Sequence, residues 1–237
     1  MGPQAALLPD GRLHLHHGPI DLVIMAEGQG EATRTAYRAA RDRFATVLAE
    51  LVPELPLLRS PLGAAPQGRI ARRMHHACTS VAQGDFITPM AAVAGSVADT
   101  VLAAMLAATP LTRAHVNNGG DIALHLAPGA TTRAAIAGLD GQISGHITLH
   151  AGDGIGGIAT SGQGGRSLSL GIASSVTVLA PNAATADAAH FLGGGHDGHG
   201  IAQHLAHGVA ARRMPKRAVF QLARSPYDGA FAIALDH

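Results

Sequence analysis

The period of the apolar positions changes along this chain, and each change predicts a different element. Residues 12–16 and 20–25 alternate apolar with polar around a His-Gly-Pro turn, which predicts a β-hairpin. A spacing of three and four then takes over. Tyr37, Ala40, Phe44, Val47, Leu48 and Leu51 mark one face of a helix, Arg38, Asp42, Arg43 and Glu50 lie largely off it, and Pro53 ends it. A Pro/Gly-rich connector over 56–68 leads to a second helix starting near Ile70. A third, Ala-rich helix is expected from about Met90 to Ala108, with Val97, Val101, Leu102, Met105 and Leu106 on one face. Short apolar runs punctuated by glycine follow at 114–116, 121–126, 133–137, 146–150, 157–160 and 175–179, and these read as strands. A last helix is expected from Thr185 to about Leu192, with Asn182 or Thr185 near its start. Helices, then strands, then a helix predict an α+β fold with a mainly antiparallel sheet. No fixed-period repeat and no interdomain linker interrupts it, so one domain is expected.

Composition narrows this picture. Of 237 residues, 47% are hydrophobic and only 14% charged, against about 25% charged in an ordinary soluble domain. A disordered chain would be charge-rich and apolar-poor, so a packed core is expected. Aromatics are 3% and Trp is absent, which leaves Ala, Val, Leu and Ile to fill that core. The net charge of +1 and the scarcity of aromatics give neither the basic patch nor the stacking platforms of a nucleic-acid binder. The single cysteine, Cys78, excludes an intramolecular disulfide. Asp10 and Arg12 interrupt any leader-like pattern in residues 1–17, and the expected location is cytoplasmic. The stretch 89–110 is almost long enough to cross a bilayer. Asp99 sits at its middle, where insertion would cost about 2.5–3.5 kcal/mol, so a buried helix with no membrane is the better reading.

Three segments carry candidate chemistry. In His115-Val-Asn-Asn-Gly-Gly-Asp-Ile122, two glycines admit positive φ and close approach, while Asn117, Asn118 and Asp121 put donors and acceptors on one turn. On local chemistry alone a tight hairpin explains Asn118-Gly119-Gly120-Asp121 better than a ligand site does. The run from Gly156 to Arg166 has a glycine-rich backbone able to form an anion-binding concavity, with Thr160, Ser161 and Arg166 as added donors. It lacks the Gly-Lys-Ser/Thr of a phosphate-binding loop and the helix expected behind a dinucleotide fingerprint. In the third segment, 182–190, Asp187 stands among alanines and needs a compensating partner: an Arg, a backbone donor or a divalent cation.

Together these segments resemble the ApbE superfamily of flavin-transferase-like proteins, most closely its smaller branch. Residues 87–99, ending in Asp99, look like the family's Gly-Ile-Ala-Lys-Gly…Asp helix. Residues 116–122 are similar to its Asn-x-Gly-Gly-Asp-Ile turn, Ile158-Ala-Thr-Ser-Gly162 to its Ala-Thr-Ser-Gly loop, and Thr185-Ala-Asp-Ala188 to its Ala-Asp-Ala metal motif. The resemblance spans about residues 11–192 and is specific through the order of the four motifs. It implies a single α+β, T-fold-like domain of two related α/β halves with largely antiparallel sheets. That domain would occupy residues 1–192, with a divergent Gly/His-rich segment over 193–237, packed on it or beside it.

The resemblance also implies FAD bound in a cleft and Mg²⁺-dependent transfer of FMN to a Thr or Ser of a flavin-accepting target protein, or hydrolysis of the FAD pyrophosphate. Asp187 would be the catalytic metal ligand. Asn117, Asn118, Gly119, Gly120 and Asp121, with Ala159, Thr160, Ser161, Gly162 and Arg166, would hold the nucleotide. The chain departs from the pattern at Ala94, where the family has Lys, and at Phe191, where a hydroxyl residue follows the metal Asp; the His-x-x-Asp-Pro after Ala-Thr-Ser-Gly is missing. A flavin-handling enzyme and a non-catalytic flavin- or nucleotide-binding protein are therefore both carried forward, with the oligomeric state open.

Two further features are weighed against simpler explanations. Cys78 and His75 lie three apart in a predicted helix, so a Cys–His pair is one reading, and a buried inert thiol is the commoner one. The chain also has 15 His, including His14, His16, His17, His190, His196, His199, His204 and His207. Without Cys or Glu companions at metal-ligand spacing, they read as surface or adventitious rather than as a functional metal site.

Overall fold

The computed structural model describes residues 2–82, 84, 86–137, 143–162, 175–195, 219–223 and 231–233. The predicted N-terminal hairpin forms as β2 (Leu13–His17) and β3 (Ile20–Glu27). A short strand the pattern did not reveal, β1 (Gln4–Leu7), pairs with β2; it lacks β-branched residues and lies exposed along its whole length. The long helix is α1 (Ala32–Leu51), whose buried stripe is Ala32, Ala36, Ala40, Phe44, Val47 and Leu51. After a one-turn helix, α2 (Leu55–Leu58), the connector enters α3 (Arg69–Val81). The Ala-rich helix is α4 (Val93–Ala108), preceded by a 3₁₀ turn over Pro89–Ala92.

The strand-rich part contains β4 (Arg113–Asn118), β5 (Asp121–Leu126), β6 (Thr131–Ala137), β7 (Ile143–His150), β8 (Gly157–Gly162) and β9 (Ser175–Ala180). The last helix is α5 (Ala183–Gly195). Beyond it, β10 (Val219–Ala223) pairs with β9, and β11 (Phe231–Ile233) pairs with β10, so the described strands of the C-terminal segment extend the same sheet. His196, His199, His204 and His207 lie outside the described residues.

The architecture is α+β, with nine strands in the order β1-β2-β3-β4-β5-β8-β9-β10-β11 and β6–β7 as a separate hairpin; every pairing is antiparallel. Strand alternation sorts the sheet into two faces. One carries Leu13, Leu15, Leu22, Ile24 and Val116 against the helices and forms the main core with Phe44, Met74, Val101 and Met105. The other carries a smaller cluster over β5, β8 and β9, where Leu124, Ile158 and Leu179 pack under Leu149 of the β6–β7 hairpin.

Helix α4 has a buried residue on every side, as a helix hydrophobic all round must. The 3₁₀ turn and α4 together are long and apolar enough to span a membrane, but more than half of that stretch is buried within the fold. It packs against α1, α5, β4 and β5.

Candidate functional site

The Asn118-Gly119-Gly120-Asp121 segment is the tight hairpin that its local chemistry favours. Asn118 pairs with Asp121, and the two intervening glycines take φ of +67° and +113°, as a two-residue turn with both central residues left-handed requires. The Asn117 Oδ1 accepts the Gly120 N–H at 2.9 Å, which locks the turn. Asn118 reaches away from it, donating from Nδ2 to the Ala94 carbonyl at 3.1 Å and pinning the turn to the start of α4. A side chain on Gly120 would meet the Thr160 carbonyl at 3.0 Å, while one on Gly119 would meet nothing within 4 Å. Among the described residues the turn is therefore walled by β8 on the Gly120 side and has no near neighbour on the Gly119 side.

The segment read as a glycine-rich loop is strand up to Gly162. Gly157–Ala159 pair with β5, and the whole of β8 pairs with β9, so its backbone groups are largely committed to the sheet. Ala159 lies opposite Asp121 and is fully buried on the helix side. Thr160 Oγ1 sits 3.2 Å from Thr177 Oγ1, and Ser161 and Gly162 pair with Val176 and Ser175. Arg166 lies outside the described residues.

Asp187 finds its partner in the backbone of another helix. Its Oδ2 accepts the Gly95 N–H at 2.9 Å, in the first turn of α4. Ala92, at the N-cap position of α4, has no side chain to cap it, so this aspartate supplies the cap from the opposite helix. The service is returned. Asp99, on α4, accepts the Ala183 N–H at Oδ1 and the Ala184 N–H at Oδ2, both at 3.0 Å, covering the first two amides of α5. The third amide, Thr185 N–H, is capped locally by Asn182 Oδ1 at 2.8 Å, which identifies Asn182 as the N-cap. Asp99 also has the Arg73 guanidinium 3.5 Å away.

Close approach makes this exchange feasible. A Cβ on Gly95 would lie 2.2 Å from the Ala183 carbonyl oxygen, and one on Gly157 would lie 2.1 Å from the Asn182 carbonyl carbon. No side chain fits at either place.

Electrostatics set this corner apart. Burial pushes the Asp121 carboxyl up to about 7. Burial, then the charges of Asp121 and Asp99, hold Asp187 well above the usual carboxylate range, against the pull of the Gly95 and Ala94 N–H groups. Burial also raises Asp99, opposed by the two α5 amides and by Arg73. Asp121 and Asp187 thus form a pair of carboxylates that repel each other in a poorly hydrated place.

Such a pair suits a hard cation. Mg²⁺ keeps several waters and takes one or two protein carboxylates plus substrate phosphate oxygens, and Asp187 and Asp121 fit that mode. Among the described residues no group of three His, Cys, Asp or Glu side chains is placed to hold a metal, so any ion held here would have to share its shell with a ligand or water. One turn beyond Asp187, Phe191 is exposed.

The other sequence candidates fall outside this corner or are inert. Cys78 is fully buried, donates to the Thr88 carbonyl at 3.4 Å, and is pushed up to about 12 by burial and by the charge of Asp187. Its helical neighbour His75 instead contacts the Gly63 carbonyl at 3.0 Å, so the Cys–His pair does not form. His14 pairs with Asp21 at 2.6 Å on the hairpin, and His16 is exposed. His190 is buried, which lowers its pKa to about 4, and among the described residues its Nε2 has no partner.

The sequence reading missed the roles of Asp99, Gly95 and Gly157. The available signal was a lone acid in an apolar helix that starts without a capping residue.

Comparison with known proteins places this geometry. The family model described as AbpE bacteria matches residues 5–194. The crystal structure of the ApbE protein from Thermotoga maritima MSB8 superposes with a TM-score of 0.61 at 14% identity, covering 94% of this chain and 98% of that one. The apo structure of the flavinyl transferase ApbE from Pseudomonas stutzeri gives a TM-score of 0.55 at 13% identity, covering 98% of this chain and 93% of that one. No curated protein matches the chain.

Proposed function

The chain belongs to the ApbE superfamily, and on that premise we propose that it binds FAD at the corner between the β4–β5 turn and α5. With Mg²⁺ it then cleaves the FAD pyrophosphate and passes FMN to a hydroxyl of a target protein or to water. The observation that carries this reading is that Asp121 and Asp187 are both raised by burial and Asp187 further by the charge of Asp121, beside a turn whose Gly119 has no near neighbour among the described residues.

Asp187 and Asp121 would hold the cation. When bound, Mg²⁺ would stabilise charge developing on the phosphoryl oxygens. The remaining work belongs to the chain. Asn118 ties the turn to α4, Asn117 keeps Gly119 and Gly120 in their left-handed conformations, and the caps of α4 and α5 hold Asp187 in place. The Thr160 carbonyl walls the turn on the Gly120 side, and Ser161, Gly162 and Arg166 would add contacts to the nucleotide, Arg166 as a cation for phosphate.

A second reading, flavin or nucleotide binding without turnover, is favoured by two residues. Ala94 offers no amine, and Phe191 offers an exposed ring where the family resemblance implies a hydroxyl ligand. Mixing the purified protein with FAD and Mg²⁺ and following AMP by chromatography decides between them. The enzyme releases AMP, and Asp187→Asn, which keeps an acceptor oxygen for the Gly95 N–H, stops the release. Micromolar FAD binding without AMP supports the second reading. If neither FAD nor FMN binds at micromolar concentration, both fail.

A further inference from the structure

We infer that Asp99 is a positioning residue for Asp187, acting through the first turn of α5, and that Arg73 holds Asp99 to that task. The inference rests on the reading of Asp187 given above, and its test does not require flavin.

A helix is located by its axial position and its rotation, and two bonds to adjacent amides constrain both. Asp99 makes two such bonds, one from each oxygen, to Ala183 and Ala184. Asp187 lies one turn further on, so the direction of its side chain follows the placement of that first turn. Its Oδ2 then bonds the Gly95 N–H on α4, four residues before Asp99. The contacts form a closed ring: α4 through Asp99 to α5, and α5 through Asp187 back to α4. The bare Cα of Gly95 lets the ring close.

A simple stabilising cap is the competing explanation, and the start of α5 argues against it as the whole account. Asn182 already caps Thr185 from within the local chain. A buried acid whose ionised form is opposed by burial is a costly way to meet two further amides, unless their location matters. Arg73, on α3, places a compensating cation 3.5 Å from Asp99 Oδ2 and is itself 41% exposed, so it can be replaced without opening the core.

The test is residue-resolved amide hydrogen exchange on the ligand-free protein, comparing wild type with Asp99→Asn and Arg73→Met. In Asp99→Asn the exchange of Ala183 and Ala184 should rise by at least about tenfold. The decisive amide is the Gly95 N–H, whose side-chain acceptor is Asp187 and not Asp99. It should also exchange at least about fivefold faster, with Arg73→Met giving the same pattern at smaller amplitude, while Leu22 and Ile24 in β3 keep their protection. If Ala183 and Ala184 lose protection and Gly95 does not, Asp99 is a local cap only and the inference is overturned. An equal rise in β3 shows global loosening and overturns it as well. Should Asp99→Asn not fold, Arg73→Met decides by the same comparison of Gly95 with β3. Wild-type protein that fails to bind FAD removes the flavin reading and leaves the exchange result standing.

Discussion

On α1, Glu50 meets its partner near solvent: Arg43 reaches both carboxylate oxygens, at 2.6 and 2.9 Å, and Thr46 donates to one of them at 2.8 Å. On α4 and α5, Asp99 and Asp187 are met chiefly by backbone amides, with one guanidinium at 3.5 Å and no cation beside Asp187 among the described residues. The contrast shows in the proton affinities. Hydrogen bonding to Arg43 lowers Glu50, whereas burial raises Asp99, Asp121 and Asp187. In a chain with few charges, the ordinary surface pair therefore adds little, and the buried acids hold a junction together at an electrostatic cost.

The sharpest way to break this contrast is steric. Gly95→Ala puts a methyl against the Ala183 carbonyl, a clash with backbone that no rotamer relieves. We expect a loss of at least about 3 kcal/mol, seen as a melting temperature lower by about 6–12 °C, or no soluble protein at all. Wild-type stability in Gly95→Ala would mean that the helices are not in this contact. Next is Asp99→Ala, which strands two buried amides and should cost about 2–4 kcal/mol in a urea titration. A value under about 0.5 kcal/mol would put Asp99 in the same class as Glu50.

Smaller effects are read from pH. Asp121 has a folded pKa above its unfolded value, so the native state holds the extra proton between about 4 and 7. Stability from this group is full below the unfolded value and falls as pH rises to about 7, then stays level. Asp121→Asn should therefore be more stable than wild type at pH 8, by at least about 2–4 °C in melting temperature, with the advantage shrinking towards pH 4. Equal melting temperatures at pH 8 would show that Asp121 is well hydrated. His190 has the opposite sign. Its folded pKa of about 4 lies below the usual value, so its contribution is lost as pH falls from about 6.5 towards 4. His190→Gln should flatten the stability profile in that window, and an unchanged acid limb would place the imidazole in water. The smallest change is Glu50→Gln, about 0–1 kcal/mol and weaker in high salt, because the pair is partly exposed.

Much of the fold was legible from periodicity. α1 and α3 are amphipathic, the strands are short apolar runs between glycines, and the Asn-Gly-Gly-Asp turn is a hairpin for the reason its composition suggests. β1 escaped because Gln-Ala-Ala-Leu has little strand preference and lies exposed, paired with β2. At the candidate site, the order of motifs indicated that Asn118, Asp121 and Asp187 belong together. It did not indicate how. Asp187 was read as needing an arginine, a backbone donor or a cation, and the backbone donor belongs to a residue 92 positions away. Asp99 counted against membrane insertion and closed a family-like motif, but its role as a cap was hidden because its partners, Ala183 and Ala184, carry nothing in their side chains that marks them as donors. Contacts made through backbone amides leave no residue signature, and the close passage through Gly95 leaves only a glycine.

The distance in sequence has a consequence for synthesis. Gly95 and Asp187 are 92 residues apart, and Asp99 and Ala183 are 84 apart. At translation rates of about 5–20 residues per second, the start of α4 leaves the ribosome roughly 5–18 s before its cap exists. During that interval a nascent chain can close the β4–β5 turn, but it has no α5 to satisfy the first amides of α4 or to cover its small-residue face. If the corner binds a nucleotide as proposed, it can do so only after α5 has been made, and the waiting helix is the segment a nascent-chain chaperone would be expected to shield.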